Sequence, residues 1–414
     1  MECKVKKRYA AYFEKFKCIG GKCSDSCCVG WNIDIDKITF KRYFKVKDTE
    51  MRKMFQKNVQ NNERCSSEDV DYGIVKLKKD KRCPFLDKKN YCIIHSKLGE
   101  DYLSNVCTCF PRVTNKVNDT YEMSLDVACP EAARLILLNE EGIRFVSKEE
   151  KLGKYIISAQ VDTTLKEVKN TPLKYFKEVR DFCIEIIQNR QFKLSERLYV
   201  LGDFINKLDD GFENNSNEIV KFINEYDVKT TLKEYKDEDI NSLLGNSNMN
   251  YIIQINFFMK MLKILKVDKE IESVSFKNYT ETMLNGYNIQ DDESISKNSH
   301  LYIKAFKEYE YILENKYDYI FENYLVNYIY NNMFPFNEVI SLFDTYIMLL
   351  MRVSFIKFYL VGLYLNGEDN DNKKIAEFIQ VFSKTIEHHK SFLMDSLAYI
   401  KRNELNNIEF AKML

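Results

Sequence analysis

Twelve cysteines are distributed unevenly along this chain, and their distribution constrains the fold more than any other sequence feature. The stretch Cys18–Cys28 reads Cys-Ile-Gly-Gly-Lys-Cys-Ser-Asp-Ser-Cys-Cys and places four thiols in eleven residues. Cys3 precedes this stretch and six more cysteines follow up to Cys129, whereas the residues after Cys129 contain only Cys183. The first third of the chain is therefore predicted to fold several thiols around a common point, as a metal or cluster site requires.

The composition limits the classes of function open to a chain of 414 residues, a length that suggests two or three domains. Basic and acidic residues are equal in number, at 62 each, so binding to nucleic acid is not expected. The basic start, Met1 to Phe13, lacks the apolar run of a signal peptide, which predicts a cytoplasmic protein. Because thiols stay reduced in that compartment, a dense cysteine pattern favours metal or redox chemistry over disulfides.

The most apolar run, Tyr346 to Leu365, is long enough to cross a bilayer. It contains Arg352 and Lys357, and two central cations are costly in a membrane. We therefore predict a buried or amphipathic helix here and no membrane span.

Hydrophobic periodicity predicts a mainly α fold with a small β component. Apolar and polar residues alternate at Trp31 to Ile35, Val75 to Leu77 and Tyr121 to Val127, which indicates a small sheet in a cysteine-rich cluster-binding domain, residues 1–142. From about Gly142 the pattern becomes helical, which predicts an all-helical domain, residues 143–414. Its helices are expected at residues 172–190, 195–209, 217–226, 250–265, 300–334, 337–365 and 373–414.

The spacing of the cysteines matches no common ligand motif. Structural zinc sites usually use pairs of cysteines two to four residues apart, and iron–sulfur clusters use thiolates presented by loops. Cys27 and Cys28 are adjacent, which excludes both the paired zinc-finger spacing and the Cys-x3-Cys-x2-Cys run of radical enzymes. Eight thiols are twice the number that one site needs, so either two sites exist or some thiols only support the ligands. The candidate metal ligands are Cys18, Cys23, Cys27, Cys28, Cys83, Cys92, Cys107 and Cys129.

The other cysteines are interpreted differently. Cys3, Cys65 and Cys183 are expected to be structural or incidental, because free cysteine is otherwise an ordinary small core residue. Cys109 is given no role, and His95 is equally compatible with a ligand and with a packed turn residue.

Cys129 precedes a predicted helix that begins at Pro130, the position where proline is favoured. A thiol at the positive end of a helix dipole has a lowered pKa, so we expect Cys129 to favour its thiolate.

The cysteine pattern and its surroundings resemble the flagellin lysine N-methylase family. The order and spacing match over Phe16 to Leu138, and the helical remainder is similar in kind. The residues that carry the resemblance are Phe16-Lys17-Cys18, Cys23, Asp25, Cys27-Cys28, Gly30-Trp31, Cys83-Pro84-Phe85-Leu86-Asp87, Cys92, His95, Leu98-Gly99, Leu103-Ser104, Cys107, Phe110-Pro111-Arg112, Ser124-Leu125, Cys129-Pro130-Glu131, Glu322-Asn323-Tyr324-Leu325-Val326-Asn327-Tyr328 and Phe334-Pro335-Phe336.

This resemblance implies methyl transfer from S-adenosylmethionine to lysine ε-amines of flagellin, with a cysteine-bound iron–sulfur cluster, most plausibly [4Fe-4S]. Zinc is the alternative metal. Gly20-Gly21 follows no predicted strand, so the doubly wound methyltransferase fold is not expected. Arg112 and Arg134 are candidates to pair with the cofactor carboxylate, with an ordinary salt bridge as the alternative. A further hypothesis is that an open iron position holds the methionine moiety.

Two alternatives to this enzyme remain open. In the first, the cysteine domain chelates zinc or iron while the helical domain docks a partner without catalysis. In the second, the cysteine domain is a structural zinc domain that supports catalysis elsewhere. The sequence does not indicate the oligomeric state, the position of the cofactor pocket or the lysines that are modified.

Overall fold

The computed structural model describes residues 4–151, 153–211, 218–242, 247–290, 292–336, 341–368 and 371–414. They form two compact units. The first contains the described residues up to Leu135 together with Arg144–Val161, and the second contains Ile136–Ile143 and Asp162–Leu414. The first unit thus continues past residue 142, where the sequence places its domain boundary. Cys3 lies outside the described residues.

Two sheets form in the first unit, and they have more strands than the sequence patterns indicate. The larger has the order β7-β1-β6-β5-β8 and the smaller the order β2-β4-β3. β1 pairs in parallel with β6 and antiparallel with β7, so neighbouring strands come from distant parts of the chain. The strands are β1 Lys4–Ala10, β2 Asp34–Ile35, β3 Val59–Asn61, β4 Gly73–Val75, β5 Arg112–Val117, β6 Thr120–Leu125, β7 Phe145–Lys151 and β8 Ile157–Val161.

Strand β6 confirms the alternating segment that begins at Tyr121, whereas β2 and β4 overlap the other two predicted segments only at Asp34–Ile35 and at Val75. The expectation of helices alone after Gly142 is wrong for residues 145–161, which form β7 and β8. These strands lie at the two edges of the larger sheet, where one strand face needs no apolar cover. All of their side chains are exposed or half-buried; β7 is polar after Val146 and has no period-two signal, whereas β8 alternates in polarity over Ile157–Val161 but is short.

The first unit also contains short helices, and three of those described begin at the side-chain caps Asp36, Asp48 and Ser104. The Asp36 carboxylate accepts a hydrogen bond from the Thr39 N–H at 2.8 Å and a second from the Asn105 N–H at 2.9 Å. One buried side chain therefore caps one helix and holds the start of another. These helices are α1 Lys37–Tyr43, α2 Thr49–Asn58, α3 Ile93–Leu98, α4 Asn105–Cys109 and α5 Pro130–Leu137, the last of which continues into the second unit.

The apolar core beside the smaller sheet reaches the cysteine segments. Tyr43 and Phe55 stack at its centre with ring centroids 3.9 Å apart. Cys83 is a buried member of this core, and Cys28 and Cys92 pack against it. The core therefore provides a rigid support for three of the eight candidate ligands.

All regular elements of the second unit in the described residues are helical. Each predicted helical segment overlaps observed helices, although the predicted starts at residues 217 and 337 fall outside the described residues. The helices Val228–Ser242, Val267–Glu270 and Val274–Gly286 were not predicted. Two π-helical turns, Leu313–Tyr317 and Ser383–Glu387, interrupt longer helices. The α-helices are α6 Phe176–Gln188, α7 Leu194–Gly211, α8 Ile219–Glu225, α9 Val228–Ser242, α10 Ser247–Leu265, α11 Val267–Glu270, α12 Val274–Gly286, α13 Asp292–Ile312, α14 Asp318–Asn331, α15 Leu342–Leu365, α16 Asn372–Phe382, α17 Lys390–Arg402 and α18 Ile408–Ala411.

Helix α15 forms the centre of the second unit. Among the described residues, α15 is the one helix that is long and apolar enough to cross a membrane. However, 94% of its most apolar 18-residue window is buried inside the protein. Arg352 is buried, donates to the Met348 carbonyl at 2.8 Å and lies 5.1 Å from the centre of the Tyr328 ring. Lys357 is only half-buried. The prediction of a buried helix is confirmed, and its two cations have separate environments.

A close helix crossing positions α12 against α15. A Cβ atom on Gly286 would lie 2.0 Å from the Gly362 carbonyl oxygen, and one on Gly362 would lie 2.9 Å from the Met283 carbonyl oxygen. Both contacts involve backbone atoms, which cannot rotate away. Glycine at these two positions therefore allows the helices to pack at a distance that any side chain would prevent.

Candidate functional site

The Cys18–Cys28 segment is an irregular loop that approaches a second backbone segment. It contains one 3₁₀ turn, Gly20–Lys22, and Gly20 has a φ angle of +54°. A Cβ atom on Gly21 would lie 2.4 Å from the Lys89 carbonyl oxygen and 2.9 Å from the Tyr91 ring. Gly20 and Gly21 therefore allow the cysteine loop to approach a neighbouring segment of the chain closely. This packing accounts for the two glycines without a phosphate-binding role.

Six of the eight candidate cysteines line one cavity of about 120 Å³ in the first unit. The Cys18–Cys28 loop forms one wall, and Phe16, Leu86 and Phe110 add apolar surface. Cys92 and Cys129 reach the cavity because each immediately precedes a helix, α3 and α5 respectively. The cysteines on the cavity wall are Cys18, Cys23, Cys27, Cys28, Cys92 and Cys129.

Cys83 and Cys107 do not line the cavity but lie beside it. The Cys83 N–H donates to the Cys28 carbonyl at 2.9 Å, which ties the buried core to the loop. Cys107 lies in α4, where the Ser104 hydroxyl caps its N–H at 3.2 Å. The Cys107 thiol interacts electrostatically with the thiols of Cys28 and Cys92. All eight candidates are therefore neighbours in space, six around the cavity and two behind it.

The cysteines and the histidine that are not among the eight candidates lie elsewhere. Cys109 is buried near the backbone of Ile156, and Cys65 is exposed in a loop beside Asp71. Cys183 is buried in α6 of the other unit, and His95 is exposed on α3. None of these four residues lines the thiol cavity.

Burial disfavours the thiolate form of the clustered cysteines. It raises the pKa of Cys129 to about 11, because desolvation outweighs the hydrogen bonds from the N–H groups of α5. The expected lowering of the Cys129 pKa by the helix terminus is therefore wrong. The hydrogen bond that the Cys27 thiol donates to Cys28 is the largest cause of a raised Cys27 pKa, and burial is the second. Cys107 retains exposed surface, yet the protein atoms around its thiol raise that pKa to about 12.

The charges on the cavity wall are negative or absent. Asp25 and Glu131 line it together with the six thiols, and among the described lining residues none is a lysine, arginine or histidine. Thiolates there would lack a protein counter-charge, and a bound metal cation supplies one. Neither acid was among the predicted site residues, although Asp25 lies inside the cysteine loop and Glu131 directly follows Cys129-Pro130.

The site fits a thiolate-bound group in the type and number of its donors. In the described residues, no group of three or more cysteine, histidine, aspartate or glutamate side chains has an arrangement that would hold a metal ion. The cluster-binding character predicted for this domain therefore stays a prediction. What the structure establishes is a cavity whose wall is rich in thiols and acids and otherwise apolar.

The two arginines proposed from the sequence lie close to the cavity without lining it. The Nε and Nη2 atoms of the Arg134 guanidinium donate to the Glu131 carboxylate at 2.9 and 2.7 Å. The Arg112 guanidinium lies 5.1 Å from the centre of the Phe16 ring and donates to the Thr108 carbonyl at 3.4 Å. Arg134 thus forms an ordinary ion pair within one helix, and Arg112 packs behind an aromatic side chain of the cavity wall.

A thiol-lined cavity in a mixed α/β unit and a large all-helical unit together define a cysteine-rich, mainly helical class of protein. The family model described as "FliB lysine N-methylase C-terminal domain" matches residues 180–414, which is more than half of the chain. The chain therefore belongs to the FliB lysine N-methylase family.

The relatives agree with this assignment. The chain is 29% identical over 196 residues to the lysine-N-methylase of Salmonella typhimurium, and this region is 47% of the chain and 45% of that protein. The same figures hold for the lysine-N-methylase of Salmonella choleraesuis. It is 34% identical over 140 residues to the "Flagellar biosynthetic protein FliU" of Salmonella muenchen, covering 34% of the chain and 81% of that protein. The matched region thus spans less than half of each lysine-N-methylase. No solved structure matches the chain.

Proposed function

We propose that this protein is a cytoplasmic enzyme that methylates lysine ε-amino groups of flagellin with S-adenosylmethionine as the methyl donor. The observation that carries the proposal is the match of residues 180–414 to the lysine N-methylase family. The flagellar name of the Salmonella muenchen relative supports flagellin as the protein substrate.

The proposed reaction requires lysine in its neutral form. A lysine ammonium has no lone pair, and its usual pKa of about 10.4 keeps it protonated near neutral pH. The methyl group leaves the sulfonium sulfur and bonds to the amine nitrogen, which then releases one proton to a base or to water. The products are methyllysine and S-adenosylhomocysteine, so the transfer needs no oxidant or reductant.

The thiol cavity is proposed to hold an iron–sulfur group, with [4Fe-4S] as the form and zinc as the alternative. The ligands would come from the six cysteines of the cavity wall and from Cys83 and Cys107 beside them. Bound there, the group would supply iron held by thiolates. The apolar side chains of Phe16 and Phe110 would restrict water around it. The gathering of thiol donors supports this assignment.

Transfer of labelled methyl groups from S-adenosylmethionine to purified flagellin tests the activity. We expect labelled methyllysine with the wild-type protein and with Cys65→Ala, which replaces an exposed cysteine outside the cavity. The double substitution Cys27→Ala and Cys28→Ala removes two neighbouring thiols and is expected to abolish transfer. Absence of label with anaerobically prepared wild-type protein would favour the binding module without catalysis. Full activity of the double variant would show that methyl transfer does not require the thiols of Cys27 and Cys28.

A further inference from the structure

The second unit contains a larger cavity with a different lining. Its volume is about 470 Å³, within the range of roughly 300–1,000 Å³ that is typical of small-molecule sites. Side chains of α7, α10, α13 and α15 form its walls, together with the residues that follow α18. Lysines, glutamates, tyrosines and amides all face it, so its ligand must be polar as well as large.

Hydrogen bonds hold the floor of this cavity in place. The buried Gln254 amide donates to the carbonyl oxygens of Met413 and Leu414 at 3.1 and 3.0 Å. The Ser354 hydroxyl donates to the same Leu414 oxygen at 2.7 Å, and the Tyr346 hydroxyl donates to the Leu198 carbonyl at 3.0 Å. A cavity whose polar groups are already ordered loses little entropy when it binds a ligand.

Two charged residues of the wall form no ion pair or hydrogen bond within the described residues. Glu310 on α13 and Lys357 on α15 are both half-buried, and both line the cavity. Each also interacts electrostatically with an opposite charge, Glu310 with Lys193 and Lys357 with Asp318, but at a greater distance than the 2.8 Å that joins Lys193 to Glu314. Because neither group is already engaged in a direct hydrogen bond, each can pair with a charged group of a ligand. One acid and one base of this kind complement a ligand that carries both an ammonium and a carboxylate.

The same wall contains a π-helical turn and several aromatic rings. The turn Leu313–Tyr317 follows α13 and carries Glu314, and such turns occur frequently at functional sites. Tyr199, Tyr251 and Phe306 contribute their rings to the lining. Aromatic faces attract cations such as a sulfonium and provide apolar surface for a heterocycle.

We propose that this cavity binds S-adenosylmethionine, with Lys357 recognising the ligand carboxylate, Glu310 its ammonium, and the aromatic rings its sulfonium and adenine. The proposal rests on the proposed function, which requires this methyl donor. It adds a site in the helical unit, formed by residues far apart in sequence.

Equilibrium dialysis with S-adenosylmethionine and S-adenosylhomocysteine tests the site without flagellin and without turnover. Glu310→Gln and Lys357→Gln each remove one charged contact and are expected to raise the Kd at least about tenfold. Glu308→Gln and Lys304→Gln, which change exposed residues of α13, are the matched controls and are expected to leave the Kd unchanged. Circular dichroism checks that each variant is folded. Ultraviolet crosslinking of labelled S-adenosylmethionine to the wild-type protein, followed by peptide mapping, is expected to label α10 or α13 and requires no variant.

The outcomes separate this site from the activity. Weaker binding in both cavity variants, with label in the helical unit, supports the proposal. Unchanged binding in both variants, or label in the cysteine unit and loss of binding in the Cys27→Ala Cys28→Ala protein, overturns it while leaving methyl transfer intact. If the wild-type protein binds neither compound, both this site and the proposed methyltransferase are wrong.

Discussion

The buried carboxylate of Glu322 is expected to be among the most stability-critical groups of the helical unit. It accepts hydrogen bonds from Arg197 at 2.9 Å and from two nitrogens of Arg190, each at 2.9 Å. Its side chain is 2% exposed and that of Arg197 is 1% exposed, whereas Arg190 is 45% exposed. The Arg197 contact is therefore the one that is shielded from water.

The size of the effect follows from these exposures. Breaking a buried ion pair by removing one partner costs about 3–5 kcal/mol, because the other charge stays buried. The Arg190 contact adds at most about 1 kcal/mol, since solvent screens an exposed guanidinium. Arg197 keeps Asp318 as a partner, and glutamine retains one acceptor oxygen. We therefore expect Glu322→Gln to lower the free energy of unfolding by about 3 kcal/mol and Glu322→Ala by about 5 kcal/mol.

Urea unfolding followed by far-UV circular dichroism measures this loss. Glu377→Gln is the matched control, because Glu377 and Lys374 form an exposed pair 3.6 Å apart, with side chains 53% and 54% exposed. That substitution is expected to change stability by less than about 0.5 kcal/mol. The midpoint should shift while the denaturant slope stays constant. If Glu322→Gln lost no more stability than Glu377→Gln, the argument from burial would be refuted.

Three further predictions concern the cysteine unit. Wild-type protein and the Cys65→Ala variant, both purified anaerobically, should contain iron and acid-labile sulfide. The double variant Cys92→Ala Cys129→Ala should contain neither. Stoichiometric zinc without sulfide in the wild-type protein would contradict an iron–sulfur group. Gly21→Ala should destabilise the unit by about 1–3 kcal/mol in chemical denaturation, because its Cβ would meet the Lys89 carbonyl, whereas Gly153→Ala, with nothing within 4 Å, should be neutral. Hydrogen bonds from the Ser66 and Ser67 N–H groups lower the Asp71 pKa from 3.8 to about 2. The contribution of these hydrogen bonds to folding stability should therefore be complete above pH 3.8 and lost as the pH falls through 2. A carboxyl NMR titration that gave Asp71 a pKa near 3.8 would contradict this.

Helix positions were the most predictable part of the fold. Apolar residues recur at helical spacing in α6, α7 and α10, and the burial of α15 follows from the same kind of pattern. Strand pairing was less predictable, because β1 pairs with β7 across more than a hundred residues and no local pattern encodes that register. The edge strand β7 is also mostly polar and lacks the alternation that identified β6, whereas β8 alternates in polarity over Ile157–Val161 but is only five residues long.

The candidate site was predictable in part. Local motifs identified the eight cysteines that the fold brings together, because short loops and helix starts hold them at a fixed spacing. The pKa of Cys129 was not predictable, since it depends on how many protein atoms surround the thiol. Nor was the helical cavity, whose charged residues Glu310 and Lys357 are 47 positions apart and meet only after α13 and α15 have packed.

The amino-acid sequence by itself determined the elements of this protein: where helices begin, where thiols concentrate and which family it belongs to. These properties depend on residues within a few turns of one another, so local chemistry encodes them. Only the tertiary structure decided the order of the strands, the protonation preference of the thiols and the charges that face the second cavity. Each of these depends on desolvation and packing between distant segments, and burial is a property of the whole fold rather than of any single stretch.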